Sequence, residues 1–336
     1  MTYLAVEISP MKALLTPYLD ELQAILKKST RQPDPALAFY KSGARNTLFR
    51  LEALARIGRG TTDKKKFDLL YNRFKQLEDI LGAMDYAEAM MKLFSSKKGL
   101  STQAKSYFGK LFTEELRQLN LILSEDGWLN GEVFSGMLGQ LDSSFDFKDD
   151  KSRKSLSEFL SDELEKVEKQ YRNGELNPHD TEGGLHEFRR KIRWFSIYAS
   201  SLNGLIQIKK VPATEERLKK YCTPEIVKSP FNKLPSVPKG IKPFEIQSTY
   251  FYALSWMIDE LGKLKDLALE NEAFEKLLQL LPADKKELKS ALKKDFRSSL
   301  PFAPEEVPVR AESAIDDFIY RDRVLMRIGR DLARSC

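Results

Sequence analysis

One helical segment carries a histidine and three arginines on a single face. His186, Arg189, Arg190 and Arg193 lie in LHEFRRKIRWFSIYA over 185–199, and at the helical angle per residue they fall within an arc of about 100°. Guanidinium groups stay charged and offer planar sets of N–H donors that suit phosphate oxygens. An imidazole adds a further donor, and a nearby phosphate favours its protonated form. The face predicts an anion-binding site.

A solvated surface is the alternative interpretation, because charge runs on helices usually face water. Ordinary exposed helices mix both signs of charge to gain i,i+4 pairs, whereas only Glu187 accompanies the four basic residues here. Leu185, Phe188 and Ile192 gather on the opposite flank, which predicts packing against a core. The composition of the basic face therefore favours an anion site.

A second, weaker basic stripe lies in the segment KSGARNTLFRLEALARIGR, which starts at Lys41. Lys41, Arg45, Arg56 and Arg59 share one sector of the predicted helix. Glu52 lies among them and could simply pair with either arginine, and Arg50 points away from the sector.

A third stripe lies near the C-terminus. Arg323, Arg327, Arg330 and Arg334 follow i, i+4, i+7, i+11 spacing on a predicted helix over 309–334. The helix dipole favours cations in the last turn, which explains Arg330 and Arg334 but not Arg323. We treat this stripe as a candidate part of the same anion-binding surface.

Helical periodicity runs through most of the chain and predicts an all-α fold without strands. The stretch 207–243 is different, because its prolines exclude a continuous helix. We expect a long irregular connection there, with one short helix. The predicted helical stretches are 10–29, 35–59, 64–96, 101–123, 151–172, 182–205, 244–280, 283–297 and 309–334.

A short internal repeat organises these helices into two halves. Residues 79–85 read DILGAMD and residues 259–266 read DELGKLKD, each downstream of an arginine-rich segment. A glycine inside a helix costs about 1 kcal/mol relative to alanine, so its presence at matching places predicts close helix–helix contact. We expect two related helical halves, about 1–145 and 146–336.

These motifs resemble those of the CHAD family, the conserved histidine α-helical domains. LHEFRRKIRW is similar to the family signature through His186, Arg189 and Arg193, and the Leu-Gly…Asp elements at 81–85 and 261–266 resemble the motif that follows in both halves. The resemblance implies two pseudo-repeated antiparallel bundles of the four-helix type. It also implies one basic groove between or along them that binds inorganic polyphosphate.

The chain departs from the family pattern in its first half. Ser42 stands three residues before Arg45, where the family has a histidine, and Trp194 and Ser196 follow Arg193, where basic residues are frequent. Arg50 matches a basic position of the family. The predicted polyphosphate-binding residues are Lys41, Arg45, Arg50, Arg56, His186, Arg189, Arg190, Arg193, Arg323, Arg327, Arg330 and Arg334.

The composition of the chain and the motifs that it lacks limit the functions that we expect for it. The net charge of +6 is too mild to identify a polyanion partner by itself. No phosphate loop, nucleophile elbow or His-Glu-x-x-His pair occurs, so we predict no catalysis, cofactor or metal. Cys222 and Cys336 form no close pair, no apolar run is long enough to span a membrane and the first residues show no secretory signal. We expect a soluble, cytoplasmic protein associated with polyphosphate granules.

Three binding functions remain open from the residues. The leading one is non-catalytic binding of inorganic polyphosphate. A nucleic-acid backbone would satisfy the same stripes, although single-strand recognition calls for aromatic stacking and only Trp194 and Tyr198 lie near the basic face. A helical interaction scaffold for an acidic protein is the third. The oligomeric state stays open.

Overall fold

The protein, described here by a computed structural model, is all-α over its described residues, which are 10–140, 148–212 and 215–336. The predicted boundary between the halves, at 145/146, lies outside these residues. Residues 1–9, the first part of the N-terminal stretch in which we expect no secretory signal, also lie outside them. Within the described ranges the α-helices are α1 (Pro10–Ser29), α2 (Pro35–Lys41), α3 (Ala44–Thr61), α4 (Lys64–Ser95), α5 (Ser101–Glu125), α6 (Glu132–Gln140), α7 (Asp150–Arg172), α8 (Glu187–Ser201), α9 (Pro224–Lys228), α10 (Ser248–Gln279), α11 (Lys286–Ser299), α12 (Glu306–Asp316) and α13 (Val324–Arg334).

Two 32-residue helices, α4 and α10, form the frame of the molecule. Helix α3 packs against α4, α8 packs against α10, and α3 and α8 pack against each other, so these four helices follow one another in the order α4–α3–α8–α10. Apolar residues of all four enter one continuous core, which extends from α1 to α13. The arginine-rich helices α3 and α8 therefore lie side by side in the middle of the fold.

A second, smaller core joins the C-terminal ends of α4 and α10. Phe94 of α4, Phe274 of α10 and Phe296 of α11 are buried there. The rings of Phe274 and Phe296 stack with centroids 4.0 Å apart, and those of Phe94 and Phe274 stack at 6.3 Å. Aromatic stacking of this kind stabilises beyond the area it buries, so the two long helices are fixed to each other at these ends.

Two predicted helices are each divided in the structure. The stretch 35–59 is broken after Lys41, because Gly43 adopts a left-handed conformation with φ of 78° between α2 and α3. The stretch 309–334 is broken by a π-helical turn (Asp317–Arg321) and by Arg323, whose φ is 52°. Lys41 and Arg323 are therefore out of phase with the arginines that follow them, and the predicted stripes are not continuous there.

The expectation of a strand-free chain was wrong for one short sheet, and α6 was not predicted. Strand β1 (Ile206–Lys209) pairs in parallel with β2 (Phe244–Gln247), with Ile206 opposite Phe244. The predicted irregular connection over 207–243 begins inside β1 and ends next to β2. Between the strands it carries α9 and two short 3-10 turns, Glu216–Tyr221 and Pro230–Asn232.

Buried charges hold this connection onto the body of the protein. The Asp322 carboxylate has no solvent exposure and accepts a hydrogen bond of 2.6 Å from the hydroxyl of Tyr221 in the first 3-10 turn. The buried Arg153 guanidinium on α7 donates to the carbonyls of Lys242 (2.6 Å) and Ser335 (3.1 Å). Buried charges are tolerated when they are paired in this way, so these contacts specify where the connection lies.

No helix of the described ranges combines the length and apolar character needed to cross a lipid bilayer.

Candidate anion-binding site

The glycines of the two Leu-Gly elements lie beneath arginine side chains. A Cβ placed on Gly82 of α4 would approach Arg45 Nη2 to 2.6 Å, and one on Gly262 of α10 would approach Arg189 Nε to 3.1 Å. Both distances are too short for an unstrained contact. Each glycine thus leaves room for a guanidinium from the neighbouring helix, α3 for Gly82 and α8 for Gly262. The close approach predicted at these glycines is made by an arginine side chain.

Arg45 is neutralised by the protein itself. Its Nε donates to Glu78 Oε1 at 2.8 Å and its Nη1 to Asp85 Oδ2 at 2.6 Å. Burial lowers the pKa of Arg45, but Glu78 and Asp85 outweigh burial and raise the pKa overall. Arg45 therefore has a fixed position and two strong acidic partners.

Arg189 has no such acidic partner. Its Nε donates to the backbone carbonyl of Ile258 at 2.9 Å, and no carboxylate in the described part of the chain lies within 4.0 Å of it. Burial lowers the pKa of Arg189, and the more distant Asp266 and Asp259 offset this only in part. The hydrogen bond fixes the orientation of the guanidinium while leaving its charge unneutralised.

Arg193, one turn further along α8, is also unpaired. Its guanidinium lies over the ring of Phe49 at 4.4 Å, and among the described residues it has neither an ion pair nor a hydrogen bond. Burial, followed by repulsion from Arg189 and Arg45, lowers the pKa of Arg193 to about 10. We call Arg45, Arg189 and Arg193 the arginine cluster. Arg193 is repelled by both other members, so an anion placed beside it would relieve that repulsion.

A buried carboxyl, Glu52 of α3, lies close to this cluster. Its side chain is 2% exposed, one oxygen accepts from Arg56 Nε at 3.3 Å, and the other has no hydrogen-bond partner in the part of the chain that the structure describes. Burial raises the pKa of Glu52 to about 7 although Arg56 acts to lower it. The sequence allows Glu52 to pair with Arg45 or with Arg56, and in the structure it pairs with Arg56.

Arg56 and Arg190 lie outside the cluster, at a separate side cavity of about 180 Å³ between α3, α7 and α8. Arg56 lies over the ring of Trp194 at 4.2 Å and 3.9 Å from Glu163, while Arg190 is paired with Glu187 at 2.6 Å. The cavity is lined by Arg56, Glu163, Lys166, Val167, Gln170, Glu187, Arg190, Lys191 and Trp194. Its arginines already have carboxylate partners.

His186 occupies the last position of a π-helical turn (Thr181–His186) that leads into α8. Its Nδ1 lies 2.9 Å from Glu182 Oε2, and its side chain is 35% exposed. A solvent-accessible imidazole beside a carboxylate can still offer its other nitrogen to a ligand. The structure therefore places His186 at the start of the basic helix without a fixed role in packing.

The C-terminal arginines are not brought to the cluster. Arg327 pairs with Glu215 and lies 3.1 Å from the hydroxyl of Tyr250 on α10. Tyr250 precedes Gly262 by twelve residues, which is about 18 Å along the helix and about 120° around it. The remaining predicted residues of this region, Arg323, Arg330 and Arg334, are exposed.

The first-half residues Lys41 and Arg50 also lie apart from the cluster. Arg50 lies over the ring of Tyr18 on α1 at 5.3 Å, and Lys41 is the exposed last residue of α2. Of the twelve predicted residues, the structure therefore brings together Arg45, Arg189 and Arg193 in the cluster, and Arg56 with Arg190 at the side cavity.

The sequence analysis did not identify Phe49 and Glu78, two residues that contact arginines of the cluster. Phe49 supports Arg193 and also Arg45, which lies 5.3 Å from the ring centroid. Glu78 binds Arg45 across 33 residues of sequence, and such a long-range pair leaves no short-range pattern. For Phe49 a signal existed, because it follows Arg45 by four residues, as Arg193 follows Arg189.

No group of three or more His, Cys, Asp or Glu side chains in the described ranges is arranged to hold a metal ion. Comparison with known proteins gives no match: no family model fits the chain, and no curated protein or solved structure is significantly similar to it.

Proposed function

We propose that this protein binds a polyanion, inorganic polyphosphate, at the arginine cluster and does not transform it chemically. The observation that carries the proposal is a pair of half-buried guanidiniums, Arg189 and Arg193, for which the described part of the chain offers no carboxylate partner, while Arg45 adds to the repulsion on Arg193. Such unneutralised charge is costly unless an anion compensates it. The resemblance to the CHAD family supplies polyphosphate as the anion and a polyphosphate granule in the cytoplasm as the location.

The matched arginine positions support a two-half arrangement of the site. Gly82 and Gly262 occupy interior positions of the two 32-residue helices, and each accommodates an arginine from the preceding arginine-rich helix. A chain-like anion could then contact guanidiniums contributed from both halves, and successive contacts along one chain act at high effective concentration. Long polyphosphate should therefore bind far more tightly than orthophosphate.

Aromatic geometry favours an anion without bases over a nucleic acid. Phe49, the ring nearest the cluster, is covered by Arg45 and Arg193, and Trp194 is only 6% exposed. Neither ring presents a free face for base stacking, which single-strand binders use. An acidic protein partner, bound by a helical scaffold, is the remaining competing occupant.

The deciding experiment is a direct comparison of polyanions. Long-chain polyphosphate, orthophosphate, single-stranded RNA, duplex DNA and an acidic polypeptide are titrated against the purified protein at matched total charge. The proposal expects polyphosphate to bind most tightly, orthophosphate to bind weakly and the acidic polypeptide to compete poorly. Preferential binding of RNA or DNA would replace polyphosphate as the ligand, and hydrolysis of polyphosphate would overturn the non-catalytic assignment.

Affinity for polyphosphate should depend steeply on salt. If the two unpaired guanidiniums, Arg189 and Arg193, each neutralise one phosphate, raising monovalent salt about fourfold from a low starting concentration should weaken binding about tenfold, by analogy with counterion release from nucleic acids. The slope of log affinity against log salt measures the number of charges neutralised. A flat slope would contradict an electrostatic mechanism.

Substituting His186 by glutamine should weaken polyphosphate binding only several-fold and leave helicity unchanged. The imidazole is partly exposed and bound to Glu182, so it adds at most one charge-assisted donor. Affinity and circular dichroism measure the two effects. Loss of a tightly bound metal or of a turnover in this variant would show that the histidine serves a different chemistry.

A further inference from the structure

Glu52 is a buried titratable group on which the proposed binding step does not rely. It lies on the inner face of α3 and is 2% exposed, and one of its carboxylate oxygens has no hydrogen-bond partner within the described ranges. An unpaired buried carboxylate oxygen costs free energy that protonation removes. Its burial therefore favours the neutral acid, against the pull of the neighbouring Arg56.

Charged groups from every helix around Glu52 connect it to the proposed site. On α3 itself Arg56 is its ion-pair partner, and Glu78 and Lys75 face it from α4. From α8 comes Arg193, whose pKa Glu52 and Glu78 act to raise. Three further groups interact with Arg56, the ion-pair partner of Glu52. They are Glu163 of α7, Tyr198 of α8 and Tyr71 of α4.

The position of Glu52 makes it a counter-charge for the cluster. When ionised, it offsets part of the positive charge of Arg193 and Arg56; when protonated, it leaves both guanidiniums with less compensation. Glu78 binds Arg45 through its Oε1 at 2.8 Å, whereas the second oxygen of Glu52 is buried without a hydrogen-bond partner among the described residues. Electrostatic effects of this kind are strong at half-buried sites, where solvent screens them little.

We propose that Glu52 couples anion binding to proton uptake, so that the arginine cluster holds a polyanion more tightly when Glu52 is protonated. The inference rests on the proposed function, since it concerns the same arginines. By linkage, a bound polyanion in turn makes Glu52 a weaker acid, and binding takes up a fraction of a proton.

The direction and size of the effect follow from linkage. The free protein has a Glu52 pKa of about 7. If the bound anion raises that pKa by about one unit, affinity should fall about fivefold as the pH rises from about 6 to about 8. The effect vanishes well above both values, where Glu52 is ionised in the free and the bound protein.

The test uses dextran sulfate as the polyanion, because its sulfate esters do not titrate in this range and any pH dependence must come from the protein. Wild-type protein should lose about fivefold in affinity between about pH 6 and about pH 8. In the His186→Gln background, where the imidazole cannot contribute, Glu52→Gln should bind equally at both pH values, with the affinity that its parent has at the lower one. Glu158→Gln, at an exposed glutamate of α7, is the matched control and should keep the wild-type dependence.

His186→Gln separates the carboxyl from the histidine. This single variant should keep the fall of about fivefold that Glu52 causes; if it abolishes the dependence while Glu52→Gln does not, the histidine is the coupled group and the inference is wrong. Should Glu52→Gln fail to fold, calorimetry of wild type in two buffers of different ionisation enthalpy measures proton uptake at neutral pH directly, and zero uptake overturns the inference. Absence of any polyanion binding would instead refute the proposed function.

Discussion

Replacing Arg189 and Arg193 together by glutamine should weaken polyphosphate binding by about a hundredfold. Neither guanidinium has a carboxylate partner among the described residues, so each can give its full charge to the ligand. Charge-assisted hydrogen bonds contribute about 1.5–3 kcal/mol each, and losing two of them at the lower end of that range gives the expected factor. Titration of labelled polyphosphate measures it, and the salt slope should fall by about two charges.

The matched control exchanges two arginines of the outer surface that are paired with acids. Arg297 is bound to Glu305 and Arg310 to Glu306, each more than half exposed, and their double glutamine variant should bind polyphosphate within about twofold of wild type. Folding should survive in the test variant, because removing Arg193 relieves its repulsion with Arg189 and Arg45. An equal loss in both variants would mean that net charge, not the cluster, governs binding.

Substituting Asp322 by alanine should reduce the free energy of unfolding by about 3 kcal/mol. Its carboxylate is fully buried and accepts from the buried hydroxyl of Tyr221, with Arg217, Lys220 and Arg321 within 4.0 Å. Removing it leaves a buried hydroxyl without its acceptor and three cations without their shared anion, and breaking such buried sets costs several kcal/mol. Urea denaturation followed by circular dichroism measures the change.

Two further variants serve as comparisons for the loss of stability expected in Asp322→Ala. Asp322→Asn keeps an acceptor for Tyr221 and should lose less than the alanine variant, whereas Asp284→Ala, at an exposed turn residue, should change stability by less than about 0.5 kcal/mol. Polyphosphate affinity should stay unchanged in all three. If Asp322→Ala unfolds at the wild-type urea concentration, the buried network does not hold the connection as described.

Local sequence patterns determined most helices but not where two of them break. Apolar residues at helical spacing continue across Gly43 and across Arg323, so periodicity alone predicts uninterrupted helices. The second break depends on Asp322, which is drawn into the buried network with Tyr221, about a hundred residues earlier. The β1–β2 pair likewise joins segments 38 residues apart in register, and four-residue strands are too short for an alternating pattern to identify.

The sequence predicted which types of residue form the candidate site, but not which individual arginines belong to it. Helical spacing assigned Arg189 and Arg193 to one face of α8, and the repeat singled out Gly82 and Gly262. Which arginines keep a free charge depends on tertiary neighbours: Arg327 is taken by Glu215, which lies 112 residues away. A sequence lists cations, whereas only the fold shows which of them are already neutralised.

The small aromatic core gives the frame a mechanical property. Phe94 follows Gly82 by twelve residues and Phe274 follows Gly262 by twelve residues, so the two arms from the arginine positions to the stacked rings have the same length, about 18 Å. The two long helices meet at the Phe94–Phe274 contact, which lies at the same distance from each of these glycines. Because this contact fixes the ends of α4 and α10 to each other, we expect its packing to influence how far apart Gly82 and Gly262 lie, and with them the Arg45 and Arg189 guanidiniums that rest on those glycines.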